Sequence, residues 1–222
     1  MRRERARPRL TSGVTALDAL LGGGWPQGKV DEMVGPDASG RSGVATATIA
    51  AATARGEVVA WLDVADALDP ASAAAAGVDL RRVLWVRPRG VEEAVRAAEL
   101  VLEAGGFTVV VLDFGSSVSS AQAHRGKGRG ALRLRLVRAV EQAGVVALVL
   151  AERPWVGTLA GVTAVFGRGE VRWGGSVDGE PRWLAGIAWQ AHVERGGVRG
   201  GAHAPRVHTN RGDQPHHAAV AG

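Results

Sequence analysis

The sequence predicts an α/β domain in which a mainly parallel β-sheet is flanked by helices. Three observations lead there. Five short apolar runs, 30–34, 58–62, 83–86, 108–112 and 145–150, are bounded by glycine or charge and read as strands buried on both faces. Helical periodicity fills the stretches between them. The first run passes through a glycine-rich turn directly into a long helix, the local arrangement of a phosphate-binding loop.

Taken in order, 30–34 is the weakest strand, because Asp31 and Glu32 interrupt it. An Ala-rich helix over 40–55 follows the glycine-rich turn. The segment 91–104 places Val91, Ala94, Val95, Ala98, Val101 and Leu102 on one face, with Glu92, Glu93, Arg96 and Glu103 elsewhere. In 131–143, Leu132, Leu136 and Val140 recur at four-residue steps. Such alternation makes a parallel sheet with helices on both faces, and ligands of such sheets sit at the C-terminal ends of the strands. Residues 1–9 form a basic, loose N-terminus and 10–193 the core domain. Residues 194–222, rich in Gly, His, Arg and Pro without apolar period, read as a disordered polar tail. His216 and His217 lie there without a third ligand at useful spacing, and read as tail rather than metal site.

The 222 residues, 46% of them hydrophobic, suffice for one ordinary core. Cysteine is absent, which excludes disulfides and thiolate metal sites. No apolar run reaches the roughly 20 residues of a spanning helix, so no membrane partner is expected. Residues 1–7 carry charge with no apolar stretch behind them, unlike a secretory signal; the expected setting is the cytoplasm. The net charge of +5 comes mostly from Arg, which stays protonated and grips phosphate with two nitrogens. That balance favours a nucleic acid or an acidic protein as partner. A GC-rich coding bias would write the same excess of Arg and Ala, and is the competing explanation.

The glycine-rich turn reads Gly35-Pro36-Asp37-Ala38-Ser39-Gly40-Arg41-Ser42, which is G-x-x-x-x-G-[K→R]-S. Glycines let backbone N–H groups curl around phosphate oxygens. Ser42 is the expected magnesium ligand. The usual Lys, which reaches the outer phosphates, is replaced by Arg41, whose larger planar head cannot enter the same cradle without shifting. Weak ATP binding is compatible with this, fast hydrolysis is not; a turn with no ligand is the alternative. Asp113 closes the apolar run Val109-Val110-Val111-Leu112, where a carboxylate opposite the loop would hold Mg2+.

Four segments in order resemble the RecA recombinase core, over roughly residues 10–175. Residues 11–28, from Thr11-Ser12-Gly13 through Leu17-Asp18 to Gly22-Gly23-Gly24-Trp25-Pro26-Gln27-Gly28, resemble its opening motif S-T-G-x-x-x-L-D-x-x-L-G-x-G-G-x-P-x-G. Residues 35–42 resemble its phosphate loop G-P-E-S-S-G-K-T. The segment Leu62-Asp63-Val64-Ala65-Asp66-Ala67-Leu68-Asp69-Pro70, continuing to Gly77-Val78-Asp79-Leu80, resembles its D-A-E-H-A-L-D-P…L-G-V-D. Residues 109–113 resemble its magnesium strand.

The departures carry the functional expectation. The position of the family's water-polarising Glu is Ala65, and a methyl group activates no water; the side chain of neighbouring Asp66 should point elsewhere. Nothing before Leu10 resembles the polymerisation helix, and a short polar tail stands in place of the C-terminal domain. A RecA-like core altered in this way is similar to ImuA. That resemblance implies an adaptor in translesion synthesis and the SOS response, binding an ImuB-type inactive Y-family polymerase relative. RecA and single-stranded DNA are further candidate partners. It also makes 114–130 the counterpart of the first DNA loop, with Arg125, Lys127 and Arg129 alternating with Gly as phosphate contacts. A solvated surface loop is the plainer reading. Arg133, Arg135 and Arg138 follow on a helix, and the second DNA loop corresponds to about 154–169. The late tryptophans Trp155, Trp173, Trp183 and Trp189 are expected in the core, with 182–193 the first place to look for a partner. Two rivals remain: an active ATPase of the RecA/RadA/KaiC class, with Asp66 or a partner residue replacing the Glu, and a binding-only protein with an empty loop.

Overall fold

The computed structural model describes residues 7–116, 129–174, 183–197 and 207–210. Its strands are β1 (Arg9–Leu10), β2 (Trp25–Pro26), β3 (Lys29–Val34), β4 (Val58–Asp63), β5 (Val83–Val86), β6 (Phe107–Asp113), β7 (Val146–Ala151), β8 (Thr163–Phe166), β9 (Glu170–Gly174), β10 (Trp183–Trp189), β11 (Ala191–Arg195) and β12 (Val207–Asn210). Its α-helices are α1 (Thr15–Leu21), α2 (Arg41–Ala54), α3 (Pro70–Ala75), α4 (Val91–Ala104) and α5 (Arg129–Ala143). Seven strands form one sheet in the order β11-β8-β3-β7-β6-β4-β5. All neighbours are parallel except β11, which runs antiparallel to β8. The predicted α/β architecture holds, with each of the five apolar runs a strand of this sheet.

The pleat sends successive side chains to opposite faces and so builds two cores. Met33, Trp61, Val109, Val111 and Leu148 pack against Leu17 and Leu21 of α1 and Val44, Ile49 and Ala52 of α2. Val30, Leu62, Val110, Leu112 and Val149 pack against Ala94, Val95, Ala98 and Leu102 of α4 and Leu136 and Val140 of α5. Each fully buried side chain of this size contributes about 1.5–3 kcal/mol. Register aligns the strand ends: Val34 lies opposite Ala151, and Asp63 opposite Asp113. That shared rim is where the glycine-rich turn sits.

The opening motif serves as scaffold. The Thr11 hydroxyl and the Ser12 N–H both donate to the Asp18 carboxylate. Thr48 on α2 donates to Ser12 O at 2.9 Å and accepts from Trp25 Nε1 at 3.3 Å. These bonds seat α1 and the short β1–β2 pair behind α2. Leu68-Asp69-Pro70 is a helix start: Asp69 accepts from the N–H groups of Ala71 and Ser72, with proline at the first helical position.

Beyond residue 193, the stretch read as a tail contributes Glu194 and Arg195 to β11 and contains β12, which pairs with β10. Backbone bonds to a neighbouring strand need no apolar period on the outward face, so composition conceals them. Among the described residues, no helix is long and apolar enough to cross a membrane.

Candidate phosphate-binding site

The loop 35–40 joins β3 to α2, as the turn's pattern predicts. Two of its glycines are sterically required. A Cβ on Gly35 would lie 2.6 Å from Phe166 O and 2.9 Å from Ser39 Oγ. Gly40 has φ +93°, and a Cβ there would lie 2.8 Å from the Trp189 ring. Trp189 is buried, with its ring centroid 5.2 Å from that of Phe166. Gly169 N–H donates to Ala38 O at 3.3 Å. The loop is thus braced from outside by the end of β8 and by Trp189. The core expectation holds for Trp155 and Trp189; the side chains of Trp173 and Trp183 lie outside what the structure describes.

Arg41 is 5% exposed and folds back over the loop. Its Nη1 donates to Gly35 O and, at 2.6 Å, to Pro36 O; Nη2 donates to Asp37 Oδ1 at 2.8 Å. The guanidinium that would meet phosphate is therefore engaged by the loop's own acceptors and neutralised by its own carboxylate. Arg41 Nε and Ser39 Oγ are buried with no hydrogen-bond partner. Ser42, the expected magnesium ligand, is exposed on the first turn of α2.

Across the rim, Asp113 is buried and accepts from Gly115 N–H at 3.0 Å. Burial pushes its pKa up to about 6, with the Gly115 bond opposing; Asp63 adds a smaller upward push. Asp63 is held by backbone and indole: Oδ1 accepts from Ala67 N–H at 3.0 Å, and Oδ2 from Leu68 N–H at 3.0 Å and Trp85 Nε1 at 3.2 Å. The Ala65 methyl lies against Gly115, 2.7 Å from where a Cβ there would stand. Asp66, in a left-handed conformation at φ +51°, turns outward to a bidentate pair with Arg87 at 2.7 and 2.9 Å. That bond holds its carboxyl below the usual range. Asp66 thus points away from the rim and does not stand in for the absent Glu.

Two buried acids escaped the sequence reading of function. Glu32 Oε1 accepts from Trp155 N–H and Val156 N–H, and Oε2 accepts from Gly157 N–H at 3.1 Å. Burial outweighs these bonds and raises its pKa. Asp31 accepts from Val162 N–H at 2.8 Å, and burial raises its pKa well above the usual range. The available signal was two adjacent acids inside an apolar run, which a buried strand tolerates only with partners. Glu32 ties down the segment expected as the second DNA loop. There Trp155 meets Phe114 edge to face at 5.1 Å, Arg133 lies over Trp155 at 5.6 Å, and 163–166 is strand β8.

Of the expected DNA contacts, Arg125 and Lys127 lie outside the described residues, and Arg129 opens α5. On that helix Arg135 pairs with Glu99 and Arg138 is exposed. Of these helix arginines, the paired Arg135 and the stacked Arg133 have less to offer phosphate than a free guanidinium would.

The residues present do not fit an ATP–Mg2+ pair poised for hydrolysis. The cation of the loop is self-neutralised by Asp37 and the loop carbonyls, and no carboxylate stands at position 65. Among the described residues, no group of three or more His, Asp or Glu side chains gathers to hold a metal.

Loop, strand-end acids and parallel sheet together define a phosphate-loop α/β domain. The sequence profile described as the RecA N-terminal domain matches residues 3–148, and the chain belongs to that family. Protein RecA of Lactobacillus delbrueckii subsp. bulgaricus is 40% identical over 103 residues, which is 46% of this chain and 31% of the relative. Protein RecA of Streptococcus pyogenes serotype M49 is 39% identical over 105 residues, 47% of this chain and 28% of the relative. The chain thus spans about three tenths of the length of these relatives. A solved structure described as the RadB recombinase superposes with a TM-score of 0.64 at 18% identity, covering 90% of this chain and 94% of the other. At that identity the likeness is one of fold.

Proposed function

We propose that this chain is a RecA-family accessory protein that binds partners in DNA-damage tolerance and does not split ATP at a recombinase rate. RecA-family proteins bind ATP and Mg2+; here Arg41 is held by Gly35 O, Pro36 O and Asp37, and that observation carries the reading. Ala65 in place of the water-polarising Glu points the same way. The ImuA resemblance supplies the context: a cytoplasmic adaptor for an ImuB-type polymerase relative, with RecA and single-stranded DNA as secondary partners. Any nucleotide bound is structural or regulatory.

Trp189 is committed to the loop, so it is a poor anchor for a partner in 182–193. Exposed apolar side chains stand instead on the edge strand β5, where Leu84 is 41% and Trp85 37% exposed. A strand edge with such side chains suits strand addition or a helix laid across it. The test is co-purification of the full chain with an ImuB-type protein, compared with Leu84→Asp. Capture by the wild type and weaker capture by the variant are expected. No capture at micromolar concentrations overturns the adaptor assignment.

A further inference from the structure

We propose that Asp37 is a built-in latch: its carboxylate holds Arg41 across the loop, and the loop takes a polyphosphate chain only when that pair opens. This deepens the reading above and rests on its description of the loop as closed.

The guanidinium closes a ring from the first residue of α2 back to the start of the loop, through three successive acceptors at 35, 36 and 37. The two ends of the pair are unequal. The Arg41 side chain is 6% exposed, whereas that of Asp37 is 75% exposed. An exposed carboxylate returns to water at little cost, so the latch is reversible. Even with the latch closed the loop carries unmet polar demand, since Arg41 Nε and Ser39 Oγ are buried without partners while Asp37 holds Nη2. With Asp37 withdrawn, Nη2 and Nε present adjacent N–H donors on one cation, the fork that grips two oxygens of a phosphate. A basic side chain brought against Asp37 by a partner would withdraw it, linking partner binding to anion binding.

The experiment is calorimetric titration of the full chain with inorganic tripolyphosphate, without divalent metal, on wild type, Asp37→Asn and Asp37→Asn/Arg41→Gln. Asp37→Asn should bind about two- to fivefold more tightly than wild type, as expected for freeing one exposed ion pair. The double variant should lose that gain. Equal affinity of Asp37→Asn and wild type, or a gain that survives in the double variant, overturns the latch. If the double variant fails to fold, the comparison of the other two proteins decides alone. DNA-stimulated ATP turnover by the wild type would end the adaptor reading and leave this comparison standing. An unchanged Asp37→Asn would end the latch and leave the adaptor reading standing.

Discussion

Glu32→Ala tests how a buried acid inside a strand organises the rim. Glu32 is fully buried and receives three backbone N–H groups from residues 155–157. Truncation leaves two buried donors, Trp155 N–H and Val156 N–H, and the part-buried Gly157 N–H unsatisfied, with a cavity behind them. Each unsatisfied donor costs about 1–3 kcal/mol, and relief of the acid's own desolvation offsets part of the sum. A net loss of about 3–5 kcal/mol is expected in urea unfolding at pH 7. Glu32→Gln separates hydrogen bonding from size. Its carbonyl oxygen can keep the bonds from Trp155 and Val156, but its NH2 group opposes the Gly157 N–H. The amide also carries no desolvated charge, so a loss of about 1–2 kcal/mol is expected. Indistinguishable losses for Gln and Ala, or a loss below about 1 kcal/mol for Ala, would refute the reasoning.

Other expectations follow from the same geometry. Below about pH 3 the Asp113 carboxyl is largely protonated whether folded or unfolded. As pH rises from the usual 3.8 to the folded value of about 6, the unfolded chain releases its proton first, so the wild type loses stability across that window. Asp113→Asn should therefore be more stable than wild type by up to ~3 kcal/mol at pH 7, and the gap should close by about pH 3 in thermal unfolding; a gap that widens on acidification contradicts this. Gly40→Ala combines a left-handed φ with a clash against the Trp189 ring, and should cost about 2–4 kcal/mol in urea unfolding. A neutral Gly40→Ala would show that Trp189 does not brace the loop. Ala65→Glu alone should leave ATP hydrolysis undetectable, because Arg41 still closes the loop; turnover in this single variant would contradict the role given to Arg41.

The central fold was legible because parallel strands buried on both faces write continuous apolar runs, as Val109-Val110-Val111-Leu112 does. The helix Val91–Ala104 was legible to the residue, because its apolar face repeats cleanly between Gly90 and Gly105. Strands β8 and β11 were not, since one is four residues long and the other alternates Ala191 and Val193 with His192 and Glu194 on a sheet edge. The position of the loop was legible from its glycines. Its internal state was not, because whether a guanidinium meets a ligand or its own carbonyls depends on side-chain direction. Asp31 and Glu32 looked like an interruption of a strand; their partners are 123 to 131 residues away, beyond any local pattern.

The central claim is tested most directly by steady-state ATP hydrolysis with the purified full chain in saturating Mg2+ and single-stranded DNA. The account predicts no turnover above a no-protein control, with or without DNA. Sustained, DNA-stimulated hydrolysis by the wild-type chain would contradict it.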